Sequence, residues 1–215
     1  MKRWFVGLAA ILMLSNVSAE TLSLNYEGFY DRMKVLNDED YSLVDMQFML
    51  VTEREGKPCP VTEGLLLTES TEQNILIKED NKQIFLPFDK QLDSDKAILT
   101  FKIPGPTRCT LSMQVTSSLA LATEISTVKL REVRNQFDDL YDDLAGIFVS
   151  WLLPDVKGVI MDFDEAVDLT GEYSNTSIVK CEKSRCFIDL SDTATFPEKL
   201  VFPTKPTVIR PWIVK

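Results

Sequence analysis

Four cysteines, at positions 59, 109, 181 and 186, are the side chains of this 215-residue chain with a capacity for redox chemistry. An even set reads as two disulfides in an oxidising compartment, with three possible pairings. The spacing favours Cys59–Cys109 and Cys181–Cys186. The second pair brackets Glu182-Lys183-Ser184-Arg185, a loop between two strand-like runs, which puts the sulfurs across a hairpin mouth. Four residues separate Cys181 from Cys186, not the two of a redox C-x-x-C pair, and a zinc site would need Cys59 and Cys109 as well. A structural role is therefore expected. Chain-entropy arithmetic gives about 4 kcal/mol for the long loop and about 2 kcal/mol for the short one.

Histidine is absent. That removes Ser-His-Asp, Cys-His and His-ligated metal chemistry. Glycine is sparse, at eight residues, and no phosphate-cradling Gly motif occurs. Carboxylates are plentiful. The densest group is Asp162-Phe163-Asp164-Glu165 with Asp168, and Asp93-Ser94-Asp95 is a second. Alternate acids can ligate calcium, but neither stretch matches an EF-hand loop, so a solvated acidic loop is the simpler reading. Paired carboxylates also hydrolyse glycosides. With 33 acidic residues some pair meets the required separation by chance. No catalytic residue, metal site or cofactor is expected, and the chain is read as a non-enzyme.

Binding chemistry is the remaining class. A net charge of −10 makes nucleic acid a poor partner. Tyr26, Phe29, Tyr30 and Arg32 form an aromatic and charged segment that could meet a partner protein. Trp212, near the C-terminus, could stack on a sugar. A helical segment from 127 to 152 carries Lys129, Arg131 and Arg134 early and Asp138, Asp139, Asp142 and Asp143 late. This order opposes the helix dipole. Arg134 and Asp138, four apart, offset part of the cost. Arg131, Arg134, Asp138 and Asp142 are accordingly candidate partner contacts.

The elements that position these residues follow from periodicity. Leu22 to Tyr26 alternates as a strand, and Gly28 to Asn37 has helical spacing. Short β-like runs follow at 43–52, 65–68, 74–78, 84–88, 97–103 and 109–116, separated by turn residues, which suggests a β-sandwich or partly closed barrel. Leu130, Val133, Phe137, Leu140, Leu144, Ile147 and Trp151 then mark an amphipathic helix that Pro154 stops. Packing of this stripe on β structure is preferred to a coiled coil, though self-pairing leaves homo-oligomerisation open. Strand-like runs return at 159–163, 177–181, 185–190, 199–202 and 207–214. Pro203, Pro206 and Pro211 confine the last to a sheet edge or an extended cover.

A faint internal echo links Phe85-Leu86-Pro87-Phe88-Asp89 to Phe187-Ile188-Asp189-Leu190-Ser191. Each is followed by a lysine and an apolar run, at 96–99 and 199–202. Duplication of a small β-domain leaves such an echo, and so does chance recurrence of short β patterns.

Residues 1–19 read as a secretory signal: Lys2 and Arg3, the apolar run Trp4 to Leu14, and Val17-Ser18-Ala19 as the cleavage site. The apolar run is too short to span a bilayer, so no stable membrane insertion is expected after cleavage. Cutting after Ala19 leaves 21 basic against 33 acidic residues, a net charge of −12.

The stretch Leu24-Asn25-Tyr26-Glu27-Gly28-Phe29-Tyr30-Asp31-Arg32, with Leu86-Pro87-Phe88-Asp89, resembles a family of uncharacterised exported proteins of Gram-negative bacteria known only as a domain of unknown function. The resemblance covers most of the mature chain. It implies a periplasmic address and nothing catalytic.

The expected architecture is mainly β (α+β): a signal peptide at 1–19, a β-domain at 20–125, a linking amphipathic helix at 126–153 and a second β-domain at 154–215. The expected function is a periplasmic, non-enzymatic interaction or accessory protein with an envelope protein as partner. The alternatives are a carbohydrate-binding module and, behind it, a carboxylate-based hydrolase.

Overall fold

The computed structural model describes residues 20–38, 41–80, 82–145, 155–168, 178–191 and 197–214. The segment at 1–19, expected to be a signal peptide, lies outside them. The described chain is mainly β, with four antiparallel sheets and three short helices.

The first half contains β1 (Glu20–Asn25), α1 (Glu27–Asp38), β2 (Val44–Thr52), β3 (Glu63–Leu67), β4 (Glu72–Asn74), β5 (Leu76–Ile77), β6 (Gln83–Phe85), α2 (Lys90–Ser94), β7 (Ile98–Ile103) and β8 (Cys109–Ser117). These make two four-stranded sheets, ordered β1-β7-β3-β4 and β5-β6-β2-β8. Alternation sets their inner faces. Leu66, Leu99, Phe101 and Ile103 from one sheet share a buried cluster with Met46, Phe48, Leu50 and Ile84 from the other. The sequence suggests a β-sandwich or a partly closed barrel, and this half has two separate antiparallel sheets that share one core. Helix α1 adds Phe29, Tyr30 and Met33 to the same core, with Tyr26 just before it.

The second half contains β9 (Glu124–Ser126), α3 (Thr127–Ala145), β10 (Val156–Asp162), β11 (Val179–Glu182), β12 (Arg185–Asp189), β13 (Lys199–Val201) and β14 (Val208–Ile213). Its sheets are ordered β11-β12-β10-β14 and β13-β9. Leu130, Val133, Phe137 and Leu140 of α3 are fully buried against Val159, Met161, Ile188 and Ile209.

The two halves repeat one topology. In each, a strand leads into a helix and then a central strand. A hairpin follows, whose second arm pairs with one side of the central strand. The last strand pairs with its other side, and the penultimate strand pairs with the strand before the helix. Thus β1, α1, β2, β5, β6, β7 and β8 correspond in order to β9, α3, β10, β11, β12, β13 and β14. The sequence echo falls on β6 and β12 and on β7 and β13, which are corresponding strands. Helix α1 packs on α3, and β8 lies beside β14. Contacts between like elements are those of a two-fold, isologous pairing. Leu36 and Leu144 border both cores, so the halves share an apolar seam.

This corrects the expectation of a helix linking two domains. Helix α3 is the second unit's counterpart of α1 and covers its own sheet. It runs from Thr127 to Ala145, and the rest of the expected helix at 146–153, including Trp151, lies outside the described residues. The run expected at 74–78 divides at buried Ile75, where the chain leaves one sheet for the other. The run at 84–88 stops at Phe85, ahead of Pro87, which has no N–H for a ladder. Helix α2 and β9 had no counterpart in the sequence reading. The proline-bearing β14 is a sheet edge, with Pro211 opposite Val159 of β10.

Candidate functional site

The expected disulfide pairing forms. Cys59 joins Cys109 with Cα atoms 6.1 Å apart, and Cys181 joins Cys186 at 4.0 Å. Cys181 and Cys186 are directly opposite in the β11–β12 ladder. Glu182 pairs with Arg185, so the hairpin loop is two residues, shorter than the four bracketed by the sulfurs.

The N-terminal aromatic segment is largely internal. Tyr26 and Phe29 are buried. The Tyr26 hydroxyl donates to the Pro87 carbonyl at 2.5 Å and accepts from the Asp89 amide at 3.1 Å. Burial pushes its phenol above the ordinary tyrosine range, with the Asp89 amide pulling the other way. Phe29 meets Phe48 edge-on, with centroids 5.0 Å apart. Arg32 folds back to the Gly28 carbonyl of its own helix at 2.5 Å. Tyr30 is also buried, stacking on the exposed Phe88 with centroids 5.1 Å apart and planes 14° from parallel, and Arg32 is the exposed member of the group.

On α3, the charge order that opposes the dipole has an internal use. The Arg134 Nε donates to the Val156 carbonyl at 2.5 Å, and the Asp138 carboxylate accepts from the Val156 amide at 2.9 Å. The two side chains pair with each other at 3.4 Å. Together they satisfy both backbone groups of Val156 at the start of β10, as a neighbouring strand would. Arg131 is partly buried and Asp142 is exposed. Tyr41 donates to Asp143, and the Leu43 amide donates to Gln136 at 2.8 Å, which ties α3 to the segment before β2. Burial, then the neighbouring Asp138, Asp143 and Asp142, raise the Asp139 carboxyl above its ordinary value.

The acidic stretch at 162–168 is partly committed to the fold. Asp162 accepts from Arg185 Nε at 2.7 Å and from Arg210 Nε at 2.8 Å, and its backbone carbonyl takes the Thr207 amide at 2.7 Å. Its carboxylate thereby joins β10 to both β12 and β14. Trp212 is half-buried. Phe187 meets it edge-on at 5.5 Å and the Lys157 ammonium lies 4.9 Å from its ring centroid. Lys157 also pairs with Asp189 at 2.7 Å. Burial raises the Asp189 carboxyl, but Lys157 and Ser191 outweigh it and the net shift is downward.

The surface feature that sequence reasoning missed lies on the β5–β6 hairpin and the segment after it. Leu76 and Phe85 face each other across the hairpin and are 67% and 45% exposed, and Phe88 is 46% exposed. Phe85 and Phe88 are the exposed phenylalanines among the described residues. The corresponding strand of the second unit carries Phe187, which Trp212 covers. Phe85 has no such cover. A signal was present: Ile84 and Phe85 are adjacent in a strand, so one must point outward. Which of them does depends on the sheet packing.

A family described as a protein of unknown function, DUF2987, matches residues 18–163. The chain belongs to that family. No curated protein and no solved structure matches. The DUF2987 span covers the whole first unit and the second through β10. The two stretches that carried the sequence resemblance both fall within it, and in the fold they touch: Tyr26 bonds Pro87 and Asp89, and Tyr30 stacks on Phe88. The uncovered Phe85–Phe88 surface thus belongs to the DUF2987 part of the chain, and Trp212 lies beyond it.

Proposed function

We propose that this DUF2987 protein is an exported, periplasmic, non-enzymatic accessory protein of the cell envelope that holds a partner protein on the Leu76–Phe85–Phe88 surface. The observation that carries the reading is the exposure of these apolar side chains beside the Tyr30 ring, where the second unit covers its own aromatic. Exposed apolar groups gathered on one hairpin favour a protein contact. Two disulfides favour an oxidising compartment. No helix among the described residues is long and apolar enough to cross a membrane. The absence of histidine and the commitment of Asp162 to two arginines favour binding over catalysis. The partner's contact surface is apolar and aromatic-compatible.

The test places a photo-cross-linking amino acid at Phe85, at Phe88 and, as a control, at Lys180 on the outer face of the other half. Irradiation is done in living cells and adducts are identified by mass spectrometry. A dominant protein adduct from 85 and 88, absent from 180, is the expected outcome. An adduct to a second copy of the chain would make the partner a homo-oligomer. Adducts equal at all three positions, or none, would remove this surface from the function.

A further inference from the structure

We propose that the cleft between the turn after β2 and the turn before β8 binds an oxyanion, a phosphate or carboxylate group carried by a small organic ligand. The cleft has a volume of about 410 Å3 and is lined by residues 52–55 on one side and 106–108 on the other. That is the size range of small-ligand pockets. It shares no residue with the Phe85–Phe88 surface, and neither site depends on the other.

The arginines single it out. Of the seven in the described residues, Arg32, Arg131, Arg134, Arg185 and Arg210 each have a partner within the fold. The side chains of Arg54 and Arg108 make no hydrogen bond or ion pair among the described residues, and both residues line this cleft. A guanidinium presents a planar fork of N–H donors that matches two oxygens of a carboxylate or phosphate. The acids nearby do not consume them. Glu55 pairs with Lys57 at 2.7 Å, and Glu53 reaches neither arginine. The two turns therefore carry three cations and two anions, in a chain whose net charge is −10.

The frame is rigid. The Thr52 amide donates to the Lys57 carbonyl at 2.8 Å, and the Gly56 amide to the Thr52 carbonyl at 2.9 Å. The Glu53 amide donates to the Arg108 carbonyl at 3.1 Å, joining the two turns. The Cys59–Cys109 disulfide staples them immediately behind. The backbone that carries the two arginines is thereby fixed before a ligand arrives, so only the side chains need ordering on binding.

The repeat supplies a contrast. At the end of the second unit's central strand, two arginines converge on the carboxylate of Asp162. The central strand of the first unit ends in Thr52, and the Arg54 and Arg108 side chains, which sit in the flanking turns rather than on the counterparts of β12 and β14, meet no carboxylate among the described residues.

The experiment is an amide chemical-shift titration of the mature protein with glycerol 3-phosphate and, separately, with glucuronate. Saturable shifts confined to residues 52–56 and 105–109 are expected with at least one probe. Arg54→Gln with Arg108→Gln should weaken binding roughly tenfold or more, while Glu53→Gln should tighten it. These side chains are exposed, and unchanged shifts in the β11-β12-β10-β14 sheet report retained folding. A response to glycerol 3-phosphate alone assigns a phosphate site, to glucuronate alone a carboxylate site, and to both a general oxyanion site. No saturable shift with either probe, or equal binding by the double arginine variant, overturns the proposal.

Discussion

The two disulfides close loops of very different length, which makes their contributions separable. Cys59 and Cys109 are 50 residues apart in sequence, and Cys181 and Cys186 are 5 apart. Removing loop-closure entropy from the unfolded chain stabilises the native state by about 4 kcal/mol for the first and about 2 kcal/mol for the second. The perturbation is Cys59→Ala with Cys109→Ala in one variant, and Cys181→Ala with Cys186→Ala in another. Packing losses largely cancel in the comparison, because each pair includes one wholly buried sulfur, Cys59 or Cys186. The long-loop variant should therefore be less stable than the short-loop variant by about 2 kcal/mol. Urea unfolding of both variants and the parent, under oxidising conditions, gives the free energies by linear extrapolation. In reductant the parent should lose most of its advantage over both. If the short-loop variant loses as much as the long-loop variant, loop closure is not what these bonds contribute, and the reasoning fails.

Three further outcomes follow from single contacts. A Cβ at Gly158 would lie 1.9 Å from the Ile188 carbonyl oxygen and 3.0 Å from the Leu190 nitrogen, both backbone. Gly158→Ala should cost about 3 kcal/mol by forcing β10 and β12 apart, seen as a lower thermal midpoint; an unchanged midpoint would mean that the strands yield freely. Asp162→Asn should cost about 2 kcal/mol, since it weakens charge-assisted bonds to both Arg185 and Arg210, discounted because the Arg185 side chain is half exposed; denaturant midpoints check this, and no change would show the cluster to be solvated. Asp139 has a raised carboxyl, so the native state disfavours its charged form. Asp139→Asn should stabilise the protein at neutral pH. The gain should shrink as pH falls through the raised native value, where the parent carboxyl protonates and the penalty disappears. Stability measured from pH 7 to pH 4 that shows a constant gain, or a loss at pH 7, would contradict this sign.

What could be read from the chain was whatever depends on neighbours in sequence. The spacing of Leu130, Val133, Phe137 and Leu140 specifies a helix stripe because 3.6 residues make a turn wherever the helix lies. Pro211 confines its strand to an edge because its missing N–H is a covalent fact. The parity and spacing of the cysteines pointed to the pairing that forms. Even the repeat left a trace, in the echo of 85–89 at 187–191. Other features were decided by strands that meet across long stretches of chain. The full correspondence of the two units is visible in strand order, which no local pattern carries. The misplaced charges of Arg134 and Asp138 suggested an outside partner, yet their partner is the Val156 backbone, 18 to 22 residues on. Tyr26 looked available for binding and is buried because Pro87 and Asp89, more than 60 residues away, close over its hydroxyl. Phe85 and Phe187 are alike in sequence setting, and only packing decides that Trp212 covers one and leaves the other exposed. Arg54 and Arg108 share a cleft because the β2–β8 ladder ends with Thr52 opposite Cys109 and so brings the two flanking turns together. Side-chain type and period are local properties of the chain, whereas burial and pairing are set by which distant backbone arrives alongside.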